Sequence, residues 1–85
     1  MTITVKYFGI IADFTKKREE EFHLNEAMNS IQTLQSHLEK LYPEIKDTAY
    51  AFALNQKMTN QNATLQNQDE IALLPPFSGK SPFQK

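Results

Sequence analysis

One segment of this 85-residue chain has the apolar period of a helix, and it restricts the folds open to the chain. Ser30 can cap this helix, and Pro43 is expected to end it. The apolar side chains between them recur at three- and four-residue spacings, and they are Ile31, Leu34, Leu38 and Leu41. Because a helix of about a dozen residues is marginal on its own, its single apolar stripe predicts a β-sheet to lie on.

Other segments alternate apolar and polar residues, which is the two-residue period of a half-buried strand. In the first of them Ile3, Val5 and Tyr7 share one face, and Gly9 ends the strand. Strands are predicted over residues 1–7, 18–24, 49–54 and 69–74, with a short further segment around Met58.

The connections complete the predicted order of elements. Residues 12–17 are predicted to join the first two strands into an antiparallel hairpin, with the charged run 16–21 as its solvated edge. Residues 59–68 are predicted to be a surface loop anchored by Leu65. Two strands, one helix and further strands predict an α+β fold in which the helix lies across one face of a mixed sheet.

Composition removes several classes of function. The chain has no cysteine, which excludes disulfides, thiolate metal sites and a thiol nucleophile. Its formal net charge of −1 gives no reason to expect nucleic acid or an anionic membrane as a partner. The two histidines, His23 and His37, have no neighbouring ligands at metal-binding spacing, so no metal site is predicted.

The amino terminus indicates the cellular location of the protein, and the length of the chain indicates the number of domains. The alternation of residues 1–6 is typical of a strand, and it lacks the basic region and long apolar run of a signal peptide. The sequence contains no apolar stretch of membrane length. We therefore expect a single cytoplasmic domain over residues 1–79.

Two prolines follow the last predicted strand. Pro75 and Pro76 cannot donate ladder hydrogen bonds, and their rings fix the backbone, so the sheet is expected to end there. A stiff, extended exit would project the residues behind it, which are Phe77, Ser78 and Gly79.

The last predicted strand also indicates a binding surface. Residues 71–74 are all apolar, so both faces of this strand carry apolar side chains although only one face can lie under the helix. The outer face is therefore a candidate partner surface, because an apolar patch on a small domain often marks an interaction site. Its candidate contact residues are Phe8, Met58 and Leu74.

In order and spacing these segments resemble the small sulfur-carrier subunit of molybdopterin synthase, a MoaD/ThiS-like ubiquitin-like family. The matching pieces are residues 3–8, Ser30-Ile31, residues 53–56, and residues 71–74 followed directly by 75–79. The resemblance spans residues 1–79. It implies the β-grasp, or ubiquitin-like, fold, with the first and last strands side by side in the centre of the sheet.

The resemblance also implies a function. In such proteins a separate E1-like activating enzyme adenylates the terminal glycine with ATP, and sulfur then replaces the adenylate to give a thiocarboxylate. The tail next enters the large synthase subunit, where the thiocarboxylate sulfurates cyclic pyranopterin monophosphate. By this resemblance the chain is a non-catalytic subunit of a hetero-oligomer, binds no cofactor itself and carries sulfur on Gly79. Its partner contacts would be Phe8, Met58, Leu74, Pro75, Pro76, Phe77 and Ser78.

The residues after Gly79 conflict with this chemistry. Members of the family end in Gly-Gly, whereas here a single glycine is followed by the extension 80–85. The carbonyl of Gly79 is tied up in a peptide bond to Lys80, and an internal amide cannot be adenylated in this way.

Three explanations stay open for the extension. A protease trims residues 80–85, or the carrier role is lost and a ubiquitin-like interaction module remains, or a frameshift has replaced the normal ending. A thiamine-pathway sulfur carrier is a further alternative, although those chains are usually shorter and lack the Pro-Pro exit.

Overall fold

A computed structural model of the chain describes residues 1–25, 27–60 and 62–75. The predictions that concern Pro76, Phe77, Ser78, Gly79 and the extension 80–85 lie outside these residues. The elements, in chain order, are β1 (Thr2–Tyr7), α1 (Ile10–Thr15), β2 (Glu19–His23), α2 (Ile31–Leu41), a 3₁₀ helix (Pro43–Asp47), β3 (Ala51–Leu54), β4 (Lys57–Thr59) and β5 (Glu70–Leu74).

The five strands form one mixed sheet in the order β2-β1-β5-β3-β4. The chain's first strand, β1, runs antiparallel to β2 and parallel to β5, with Val5 opposite Ile71. The last strand, β5, occupies the centre and pairs antiparallel with β3 on its other side. This is the β-grasp arrangement, and it confirms the α+β fold and the predicted pairing of the first and last strands.

The main core lies between α2 and one face of the sheet. Ile31, Leu34 and Leu38 are fully buried in it, as their spacing predicted, but Leu41 is 47% exposed. The prediction was wrong there because α2 ends at Leu41, and the following 3₁₀ helix places Ile45 in the core instead.

The predicted helix start and loop anchor are confirmed. Ser30 caps α2 with a reciprocal pair of hydrogen bonds: its hydroxyl accepts from the Thr33 amide at 3.2 Å, and its own amide donates to the Thr33 hydroxyl at 3.2 Å. Leu65 is buried, and its amide donates to the Asn29 carbonyl at 2.6 Å. The loop is therefore tied to the start of α2.

The connection between β1 and β2 differs from the predicted hairpin turn. It contains α1, which buries Ile11 against the core and is followed by its C-cap residue, Lys16, in the left-handed conformation with φ of 60°. Thr15 is also buried there, and its hydroxyl donates to the Lys17 carbonyl at 3.0 Å. A helix of six residues spans fewer than two turns, so its apolar period is too short to recognise in the sequence.

No helix within residues 1–25, 27–60 and 62–75 is both long enough and apolar enough to span a bilayer.

Candidate partner-binding face and tail exit

The face of the sheet opposite α2 divides into an apolar part and a charged part. Strand register places Lys6, Ala72, Ala53 and Met58 in one row across the sheet, because each is directly opposite the next. The apolar part, which we call the outer patch, comprises Phe8, Ala53, Met58, Ala72 and Leu74.

Exposure varies sharply within the outer patch. Ala53, Ala72 and Leu74 form a small buried cluster against which the half-buried Phe8 packs. Met58, on the edge strand β4, is 54% exposed. Phe8 and Met58 therefore present apolar surface on this face, and their contact with a partner stays a prediction.

Leu74 does not fit that expectation, because only 1% of it is exposed. It ends the central strand β5, so it has neighbours on both sides: Phe8 packs beside it, and Ala51 of β3 lies directly opposite. The sequence showed which face Leu74 would occupy but not how completely its neighbours would enclose it. Its direct contact with a partner stays a prediction, and its position in the buried cluster indicates that it supports Phe8.

The charged part of the outer face adjoins the patch on β1, β2 and the start of β5. Register places Glu19 opposite Lys6 and Glu21 opposite Thr4, on the same face as Glu70. The Lys6 ammonium contacts the Glu70 carboxylate at 3.0 Å, and this hydrogen bond raises the pKa of Lys6. The outer patch is thus bordered on one side by three carboxylates and one lysine.

The tail leaves the sheet beside the turn between β1 and α1. The last hydrogen bond between β1 and β5 in this region is donated by the Phe8 amide to the Leu73 carbonyl at 3.2 Å. Gly9 follows with φ of 58°, and a Cβ atom built on it would lie 2.8 Å from Cγ of Pro75. The first residue of the predicted tail therefore packs against a glycine that the sequence marked only as the end of a strand.

A polar cluster on the helix side of β2 was not foreseen from the sequence. One oxygen of Glu20 accepts hydrogen bonds from the hydroxyls of Tyr7 at 3.0 Å and Tyr42 at 2.7 Å, and the other contacts the Lys17 ammonium at 3.0 Å. Burial acts to raise the pKa of Glu20, but the hydrogen bonds from Tyr42, Lys17 and Tyr7 outweigh it and hold the pKa below its usual range. Burial, followed by the bond to Glu20, raises the pKa of Tyr7.

These hydrogen bonds join three segments of the chain, through Tyr7 of β1, Glu20 of β2 and Tyr42 directly after α2. Within the part of the chain that the structure describes, no three His, Asp or Glu side chains converge as metal ligands would. His37 packs edge-on against Phe22 at a ring distance of 5.6 Å. The two ring nitrogens of His23 contact the Thr2 hydroxyl and the Glu21 carboxylate. The arrangement is suited to binding a partner through the outer patch beside the tail exit.

Comparison with known proteins identifies the family. The model of the ThiS family matches residues 5–79. Subunit 1 of the molybdopterin-converting factor of Helicobacter pylori 26695, in a complex with subunit 2, is 28% identical, and the match covers 94% of this chain and 100% of that chain with a TM-score of 0.67.

Two further solved structures share the fold. A protein described as a putative molybdopterin converting factor, subunit 1, from Pyrococcus furiosus has a TM-score of 0.81 at 21% identity, covering 91% of this chain and 99% of that chain. Small archaeal modifier protein 1 of H. volcanii has a TM-score of 0.75 at 15% identity, covering 89% and 98%. At these identities the likeness concerns the fold.

Proposed function

Since this chain belongs to the ThiS family of ubiquitin-like sulfur carriers, we propose that it delivers sulfur, as a thiocarboxylate on Gly79, to the large subunit of a molybdopterin synthase. The observation that carries the proposal is the adjacency of the outer patch to the tail exit: Phe8 packs on the cluster that contains Leu74, and Pro75 follows. A partner docked on the patch would sit where the tail leaves the sheet. The likeness to a subunit 1 that forms a complex with subunit 2 supports a hetero-oligomer.

The outer patch and the tail have separate roles in this proposal. Phe8 and Met58 supply apolar contact area, and Leu74 supports Phe8 from within the sheet. The tail, starting at Pro75, then reaches into the partner. The reacting centre belongs to that partner, so this chain contributes binding and position, and it needs no bound cofactor.

Loading the carrier takes two balanced steps on a free Gly79 carboxylate. A carboxylate oxygen attacks the α-phosphorus of ATP on a separate activating enzyme, which forms an acyl adenylate and releases pyrophosphate. A hydrosulfide equivalent from a sulfur donor then attacks the carbonyl carbon, the bond to AMP breaks, and the thiocarboxylate remains. Both steps need hydrolysis of the Gly79–Lys80 peptide bond first, so the proposal includes removal of residues 80–85 by a peptidase.

Intact mass measurement tests the proposal. The full chain is expressed in its native cells with its activating enzyme and the large subunit, and then purified without reducing agent. We expect a species that ends at Gly79 and is heavier by the replacement of one oxygen by sulfur. A chain stopped after Phe77 is the matched control and should never gain that mass. A population that always retains Lys85 would overturn the carrier role.

The second candidate function is a ubiquitin-like interaction module without sulfur chemistry. It is favoured by one observation, the residue Lys80 directly after Gly79. Such a module would bind its partner through the same outer patch, so binding alone does not separate the two functions. The two functions are separated by the mass of the protein from native cells, which shows whether the tail is trimmed and carries sulfur. A thiamine-pathway carrier would show the same sulfur mass but would bind a different acceptor, which a pull-down of the large synthase subunit distinguishes.

A further inference from the structure

Gly9 and Pro75 make a contact that no other residue at position 9 would allow. A Cβ atom at position 9 would lie 2.8 Å from Cγ of Pro75, and 3.6 Å and 3.7 Å from its Cδ and Cβ. All three nearest atoms belong to the proline ring. In addition, the backbone of Gly9, with φ of 58° and ψ of −135°, is one that residues with side chains rarely adopt.

The contact lies where two adjacent strands end together. The Phe8 amide still bonds to the Leu73 carbonyl, so β1 and β5 are held in register up to this point. Gly9, one residue after Phe8, and Pro75, two residues after Leu73, meet just beyond this bond. The proline ring is rigid and fixes its own φ, so it cannot yield as a flexible side chain would.

We infer that Gly9 is a positioning residue that sets the direction in which the tail leaves the sheet, by leaving room for the ring of Pro75. This inference deepens the proposed function and depends on it for its biological consequence. The four residue-to-residue steps from Pro75 to Gly79 span at most about 14 Å. A change of about 30° in the exit direction would therefore move the far end by about 7 Å. A tail that must enter a partner's reacting centre is sensitive to a displacement of that size.

A distance measurement on the free protein tests the inference without any partner or sulfur chemistry. The chain has no native cysteine, so two introduced cysteines, Gln32→Cys on α2 and Ser78→Cys in the tail, are the only sites for nitroxide labels. Pulsed dipolar EPR on the full chain then gives the distribution of distances between them. We expect Gly9→Ala to shift or broaden this distribution by several ångströms.

A second substitution shows whether the effect passes through the ring. Pro75→Ala removes the Cγ and Cδ atoms that a methyl group at position 9 would meet. In that background, adding Gly9→Ala should change the distance distribution much less, because only the strain of the backbone at position 9 remains. An undiminished change with alanine at position 75, or no change from Gly9→Ala alone in a folded protein, would overturn the inference.

Two controls separate positioning from loss of stability. Asp13→Gly weakens the same short helix, α1, at an exposed position, and it should leave the distances unchanged. If Gly9→Ala does not fold, NMR of the unsubstituted protein decides: nuclear Overhauser effects between the Gly9 α-protons and the Pro75 ring support the inference, and their absence contradicts it. Neither measurement involves sulfur. The EPR and NMR results can therefore support the role of Gly9 even if the sulfur-carrier function is disproved.

Discussion

The hydroxyl of Tyr42 donates a 2.7 Å hydrogen bond to the carboxylate of Glu20, and this bond joins the end of α2 to the edge strand β2. Tyr7 of β1 donates to the same oxygen at 3.0 Å, and its ring packs edge-on against Tyr42 at 6.0 Å. One carboxylate therefore links three elements of the fold. The edge of the sheet, which carries many charges, is held to the core by this group.

Replacing Glu20 by glutamine should destabilise the protein at neutral pH. The substitution removes the negative charge that accepts from Tyr7, Tyr42 and Lys17, and hydrogen bonds to a charged group are stronger than neutral ones. We expect a loss of about 1–2 kcal/mol in the free energy of unfolding, measured by urea denaturation at pH 7. Glu19→Gln on the same strand is the matched control, since Glu19 is exposed, and it should change the stability by less than about 0.5 kcal/mol.

The effect of Glu20 should disappear in acid. Its pKa is lower in the folded protein than in the unfolded chain, so the folded state binds the proton less readily. The stabilisation is thus complete above the unfolded pKa of about 4.3 and is lost as the pH falls through the lower folded value. Denaturation curves of the wild type and Glu20→Gln should converge below about pH 4. A gap of equal size at pH 3 and pH 7 would show that the carboxylate's charge is not the cause.

The cap of α2 should contribute measurably to stability. Ser30→Ala removes the hydroxyl that accepts from the Thr33 amide, and the loss of such a cap typically costs about 1 kcal/mol. Thermal unfolding followed by circular dichroism should show a lower melting temperature. Ser36→Ala, at an exposed position within the same helix, should leave it nearly unchanged. Equal effects at the two positions would mean that the cap is dispensable.

The parts of the fold that the sequence predicts are those with a repeating signal. The alternation in β1, the apolar spacing of Ile31, Leu34 and Leu38, and the serine before them are local patterns, and the structure confirms each. The short helix α1 has too few turns to show a period. Ile45, and not Leu41, lies in the core because of the direction that the chain takes after α2. The spacing of apolar residues within the helix does not determine that direction.

The candidate site was predictable in outline only. The faces of β5 follow from the two-residue period, so the outer patch could be located from the sequence. Three features depend on contacts between distant segments: the enclosure of Leu74 by its neighbours, the hydrogen bonds from Tyr7 and Tyr42 to Glu20, and the packing of Gly9 on Pro75. Such contacts join residues 13 or more positions apart along the chain, as for Tyr7 and Glu20, so no local pattern announces them.

The unequal exposure of the outer patch gives its residues different mutational signatures. From the sequence, a glutamate at Phe8 or Leu74 would be expected to block partner binding in a folded domain. Since Leu74 is only 1% exposed, Leu74→Glu would bury an unpaired charge, and we expect it to cost about 3 kcal/mol or more in the free energy of unfolding. Phe8 is half-buried, so the loss of unfolding free energy caused by Phe8→Glu should be smaller than that caused by Leu74→Glu and larger than that at an exposed position.

Met58→Glu is the substitution that should separate binding from folding. Met58 is 54% exposed on the outer patch, so a carboxylate there stays hydrated and should change the stability by no more than about 0.5 kcal/mol. In a complex the same carboxylate would be desolvated against an apolar surface, and we expect the affinity for the large synthase subunit to fall at least tenfold, or about 1.4 kcal/mol. Isothermal titration calorimetry with the purified subunit measures this change.

Lys57→Glu is the control. It places a carboxylate on the opposite face of the same strand, because Lys57 is paired with Leu54, and this variant should bind the subunit as the wild type does. Equal losses of affinity from Met58→Glu and Lys57→Glu would show that added negative charge, and not contact through the outer patch, weakens the complex.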